Sequence, residues 1–149
     1  MARFALSTLL IALLAVNLSS GFIFGGDVLV LTKENIGEAL VENENLLVMF
    51  YSPRCGYSRM LLPNFESAAA MLVEQHIPVK LGKVDCVENV ALRKMYHIRK
   101  YPTLRLFRNG GPLQYTGSIH TYDLKAKDIV EWVKENIPIH TPATPEEEL

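Results

Sequence analysis

Apolar residues along this chain recur first every two positions and then every three or four, and each change of period marks an element. Asp27 to Leu31 alternates as a short strand. Thr32 then stands as the N-cap of a helix over Lys33 to Glu42, in which Ile36, Ala39 and Leu40 keep helical spacing. Leu46 to Tyr51 is an unbroken apolar run of strand length, the pattern of a central strand covered on both faces. Beyond it a long helix reaches about Gln75, with Leu61, Leu62, Phe65, Ala69 and Leu72 near one face and Pro63 bending it from within. Val79 to Val84 predicts a strand, Asn89 to Tyr96 a short helix, and Thr103 to Phe107 a further strand. Asn109-Gly110-Gly111-Pro112 turns the chain into Leu113 to Thr116 as an antiparallel hairpin. Asp123 to Asn136 closes the order as a helix with Leu124, Ile129, Trp132 and Val133 inward, stopped by Pro138. The series β-α-β-α-β-α-β-β-α implies an α/β fold, a mixed central sheet with helices on both faces.

The two ends stand outside that pattern. Met1-Ala2-Arg3 is a short positive start, Phe4 to Val16 is almost wholly apolar, and Asn17 to Gly21 turns small and polar. That is the layout of a secretory signal peptide over residues 1–21. An uncleaved membrane anchor is the alternative, because with Phe22-Ile23-Phe24 added the stretch approaches the ~20 residues that span a bilayer. Only in that case is a membrane a partner. Residues 138–149 carry Pro142, Pro145 and a closing Glu146-Glu147-Glu148-Leu149, and read as a flexible acidic tail. The final Glu-Leu is shared with K-D-E-L-type retrieval signals of the endoplasmic reticulum, but the basic first residue is missing. Retrieval and a plain solvated terminus both stand. What remains, residues 27–137, is one domain.

Hydrophobic residues make up 49% of the chain and charged residues 21%, which supplies a real core and excludes a disordered chain. The formal net charge of -1 leaves no electrostatic footprint for nucleic acid. Two cysteines behind a secretory leader allow one structural disulfide, yet a core of this size needs no staple. Their surroundings decide. Cys55 falls where a strand gives way to a helix, beside Pro53 and Gly56, with Arg54 and Arg59 adding positive charge. A sulfur there faces unpaired backbone N–H groups and the positive helix end, the setting in which thiols become nucleophiles. His76, His97 and His120 read as loop or surface residues and His140 lies in the tail; no pair has metal-ligand spacing, so neither a metal nor a cofactor is expected.

Val48-Met49-Phe50-Tyr51-Ser52-Pro53-Arg54-Cys55-Gly56-Tyr57-Ser58 resembles the V-E-F-Y-A-P-W-C-G-H-C signature of protein disulfide isomerase domains, and Leu61, Pro63 and Glu66 continue its register. Lys83-Val84-Asp85-Cys86, Tyr101-Pro102-Thr103-Leu104, Phe107-Arg108-Asn109-Gly110 and Tyr115-Thr116-Gly117 are similar to the family's later landmarks, in order and spacing. The resemblance covers roughly Asp27 to Asn136 and implies a thioredoxin-like fold. It makes Cys55 the active-site thiol of a C-x-x-S motif, with Pro53, Arg54, Gly56, Tyr57, Ser58 and Arg59 around it. It makes Pro102 a cis-proline beside the sulfur, where Tyr101, Pro102 and Thr103 receive an extended client peptide.

Against the same signature, Ser58 stands in place of the resolving cysteine, Met49 in place of the buried acid that serves it, and Tyr57 in place of His. The family's later basic residue falls at Ile119, beside His120. Cys86 matches a position that in some members pairs with a cysteine seven residues on, where this chain has Arg93. A buried unpaired thiol is then expected, and a bridge to Cys55 would need Cα atoms within ~7 Å.

The resemblance therefore implies a thiol-disulfide exchange protein of the endoplasmic reticulum lumen or of the secreted set. It would act on folding clients with cysteines through a single thiol, by isomerisation or mixed-disulfide retention, with glutathione as a releasing thiol and without net dithiol oxidation. A chaperone or binding module of the same fold is the alternative. Pro53 to Ser58 is also similar to the P-x-C-G-F-S of monothiol glutaredoxins, which lack the first strand and helix read here.

Overall fold

The computed structural model describes residues 28–108, 111–116 and 124–137. The signal segment, the tail, His120, Ile119 and Asn109-Gly110 lie outside the described residues. The elements are β1 (Leu29–Val30), α1 (Ile36–Glu42), β2 (Leu46–Tyr51), α2 (Gly56–Glu74), β3 (Lys80–Asp85), α3 (Val90–Met95), β4 (Thr103–Arg108), β5 (Gly111–Gln114) and α4 (Ala126–Asn136). They form a five-stranded sheet in the order β1-β3-β2-β4-β5. β1, β3 and β2 run parallel; β4 and β5 run antiparallel to their neighbours. The predicted order of elements and the mixed sheet are both present.

β2 decides the architecture. Its residues Leu46 to Phe50 are all buried, and its pleat divides them between two layers. Leu47 and Met49 enter a cluster with Leu61, Phe65, Ala68 and Leu72 of α2 and Ile129 and Val133 of α4. Leu46, Val48 and Phe50 enter a second with Ile36 and Ala39 of α1, Val84 and Cys86 at the end of β3, and Leu92 of α3. Between β1 and β2, Gly82 leaves room that a side chain would fill: a Cβ there would meet Leu31 Cδ1 at 2.5 Å. Among the described residues no helix is long and apolar enough to cross a membrane.

The ends of the helices depart from expectation. α1 begins at Ile36, not Lys33, because side chains commit the preceding residues to a turn. The Thr32 N–H donates to Asn35 Oδ1 at 2.8 Å, Thr32 Oγ1 accepts the Glu34 N–H, and Asn35 Nδ2 donates to the Val30 carbonyl. α4 begins at Ala126, with Lys125 as its N-cap and its N–H held by Asp128 Oδ2 at 2.8 Å. Leu124 is buried as expected, but ahead of the helix rather than within it. β5 sits two residues earlier than predicted, since Arg108 pairs with Gly111, whose φ of 100° favours glycine. α2 is continuous through Pro63 for 19 residues.

α2 and α3 close alike, each with a histidine in the left-handed region, His76 at φ 55° and His97 at φ 51°. His76 N–H donates to Val73 O and Ile77 N–H to Leu72 O; His97 and Ile98 repeat this onto Lys94 and Arg93. These are paired Schellman closures, built where glycine is the usual residue.

Candidate thiol site

The site forms where β2 ends. Ser52 turns the chain with three hydrogen bonds: its carbonyl accepts the Cys55 N–H at 3.0 Å, its Oγ accepts the Arg54 N–H at 3.3 Å, and its own N–H donates to Ser58 Oγ at 3.4 Å. This leaves Cys55 extended, at φ -85° and ψ 123°, as the N-cap of α2, with its carbonyl accepting the Arg59 N–H of the first turn. Cys55 is half-buried. Its Sγ donates to the Tyr101 carbonyl at 3.6 Å, and the Tyr101–Pro102 peptide is cis. The predicted meeting of helix start and proline loop is therefore present.

Residues from both segments divide by exposure. Pro53, Arg54, Gly56, Tyr57 and Arg59 are exposed around the sulfur. Pro102 and Thr103 are buried, and Thr103 Oγ1 donates to the Lys100 carbonyl at 2.8 Å, which fixes the loop that presents Tyr101. Ser58 is 0% exposed beneath the loop, and its oxygen is spoken for by Ser52. Met49 is also fully buried, opposite Leu104 in the apolar layer shared by α2 and α4.

Cys86 is the second free thiol, 1% exposed just beyond β3, with its N–H on the Tyr51 carbonyl. Burial, with Asp85 next, pushes it up to about 11 from an ordinary 9.0; the backbone hydrogen bond with Tyr51 and the charge of Arg93 oppose this, and its Sγ donates to the Val84 carbonyl at 3.8 Å. Among the described residues no group of three or more His, Cys, Asp or Glu is placed to hold a metal.

Sequence reasoning missed Ser52. It is 7% exposed and ties Cys55, Arg54 and Ser58 together, and the available signal was a serine wedged between a wholly apolar strand and Pro53.

The chain is 42% identical over 106 residues to protein disulfide-isomerase of Drosophila melanogaster, covering 71% of this chain and 20% of that protein. It is 39% identical over 131 residues to protein disulfide-isomerase 1 of Caenorhabditis elegans, covering 88% of this chain and 26% of that one. The chain thus spans about a fifth to a quarter of these curated relatives. Human ERp44 in its zinc-bound form superposes with a TM-score of 0.64 at 33% identity, over 73% of this chain and 31% of that chain. The first thioredoxin domain of mouse protein disulfide-isomerase A4 gives 0.65 at 27% identity, over 83% of this chain and 85% of that one. The family described as thioredoxin matches residues 27–135, more than half of the sequence, and the parallel β1-β3-β2 unit, the antiparallel β4-β5 hairpin and the cis-proline facing Cys55 agree with it. The chain belongs to the thioredoxin family.

Proposed function

We propose that this chain exchanges thiols and disulfides on folding client proteins of the secretory pathway, in the reticulum lumen or outside the cell, through Cys55 alone. One observation carries the reading: Cys55 Sγ, half-buried at the start of a 19-residue helix, lies 3.6 Å from the carbonyl that precedes Pro102. The Cys55 thiolate attacks one sulfur of a client disulfide; a Cys55–client bond forms, the client S–S bond breaks, and the departing sulfur leaves as a thiolate that takes a proton. Electrons are conserved, Cys55 being oxidised as the departing cysteine is reduced. An extended client lies along Tyr101, Pro102 and Thr103 while the bond lasts. Ser58 supplies no thiol to break it, so release falls to a second client thiol or to glutathione. The product is a rearranged client, or a client held.

A non-catalytic binding role draws on Tyr57 and Met60, apolar side chains 39% and 46% exposed on the first turns of α2. The glutaredoxin alternative is disfavoured by β1 and α1, which precede the thiol strand. Isomerisation of a scrambled disulfide protein separates the remaining two. Cys55→Ser should abolish isomerisation and the capture of covalent partners from secretory extracts. If Cys55→Ser keeps full activity against aggregation and wild type isomerises nothing, the binding role replaces this one.

A further inference from the structure

The overall charge of -1 conceals a local imbalance. Residues 52–65 contain Arg54 and Arg59 and no acid; residues 89–108 contain Arg93, Lys94, Arg99, Lys100, Arg105 and Arg108 and again no acid. The contact of Cys55 Sγ with the Tyr101 carbonyl brings these two segments together. Arg105 is committed to the Tyr96 carbonyl and Arg108 to the Asn136 carbonyl. Arg54, Arg59, Arg99 and Lys100 are exposed on either side of the thiol, and the ion pair recorded among the described residues joins Lys83 to Glu66, using none of them. Asp85, on the neighbouring strand end, turns its Oδ1 to the N–H groups of Val87 and Glu88, leaving Glu88 as the exposed acid of that loop.

We infer that this cationic rim makes Cys55 selective for client cysteines flanked by aspartate or glutamate, a specificity that rests on the exchange role proposed above. In an extended client, side chains two positions from the reacting cysteine lie about 7 Å along the strand, within reach of a long arginine. Arginine forks grip carboxylates in pairs of hydrogen bonds, and rim charges act mainly by speeding encounter. Lysine-flanked cysteines meet four like charges and are turned away.

The test uses the full chain and two peptides, each with one cysteine activated as a pyridyl disulfide, flanked by glutamates in one and lysines in the other. Attack by Cys55 on the peptide sulfur forms the Cys55–peptide disulfide and expels pyridinethione, which is read by absorbance. Cys55→Ser identifies the signal. The glutamate peptide should react about tenfold faster in dilute buffer, and the ratio should shrink severalfold at about 0.5 M salt, where charges are screened beyond ~4 Å. The double change Arg99→Glu with Lys100→Glu should reduce or invert the preference, and inversion is not an outcome that a misfolded variant can give. Equal rates for the two peptides, while a neutral dithiodipyridine still titrates Cys55, overturn the specificity and leave the exchange role standing. A Cys55 inert to the neutral reagent as well overturns both.

Discussion

At the scale of single residues, the exchange role proposed above makes Ser58 the residue that would separate holding a client from passing on a disulfide. Ser58→Cys should form a titratable bridge with Cys55, since Cys55 caps α2 and position 58 lies three residues on in its first turn, and should shorten the lifetime of mixed disulfides. The structure adds a cost: the new sulfur would occupy a fully buried place and weaken the hydrogen bond from the Ser52 N–H. An unchanged lifetime with no internal bridge, followed by a peptide-trapping assay, would show Cys55 misplaced for exchange. Adding Met49→Glu should speed transfer by giving the new thiol a proton acceptor. The same change puts a carboxyl at 0% exposure opposite Leu104, so it should also cost about 2–4 kcal/mol in denaturant unfolding. Of the candidate site, Cys55, Tyr101, Pro102 and Ser58 were legible because each is a departure from, or a match to, a motif; Ser52 was not, because two of its three hydrogen bonds use backbone groups, which every residue carries and no pattern marks.

Among the elements, β2 and β4 were read almost to the residue, because burial on two faces leaves β2 no polar register to slip into and β4 pairs beside it, whereas β5 came two residues early. Helix ends were read less well. Competition between side chains and backbone delayed α1, and the two closures at His76 and His97 were invisible, since nothing distinguishes a histidine in the left-handed region from any other loop histidine. Those closures carry a consequence. A non-glycine residue pays for its Cβ there, so His76→Gly and His97→Gly should each stabilise the fold by about 0.5–1 kcal/mol. Urea midpoints would show it, and a loss of stability in both would mean that the imidazoles hold contacts worth more than the backbone strain.

For the whole molecule, stability should decline in alkali. The thiol of Cys86 is raised by burial in the fold to about 11, so below pH ~9 the folded and unfolded chains are alike in holding that proton and the contribution is fully present. As pH rises from ~9 toward 11 the unfolded chain gives the proton up first, and about 2–3 kcal/mol is withdrawn. Tyr51, Tyr96 and Tyr115 are raised by burial as well and add loss of the same sign at higher pH. Unfolding measured against pH should show this slope, and Cys86→Ala should flatten its lower part; a parallel curve in the variant would remove the thiol from the account. The overall topology was legible because the order of elements leaves few ways to close a sheet. The sharing of β2 between two layers has a further result. Neither layer can lose its packing while the other keeps it, because the alternate side chains of one strand serve both. Trp132, the single tryptophan, sits in one layer beside Tyr115 with its rings 5.0 Å apart, and Cys86 sits in the other. Indole fluorescence and the exposure of a buried thiol to alkylating dye should therefore trace one cooperative transition with a common midpoint, so that a single optical signal suffices to follow the unfolding of both halves.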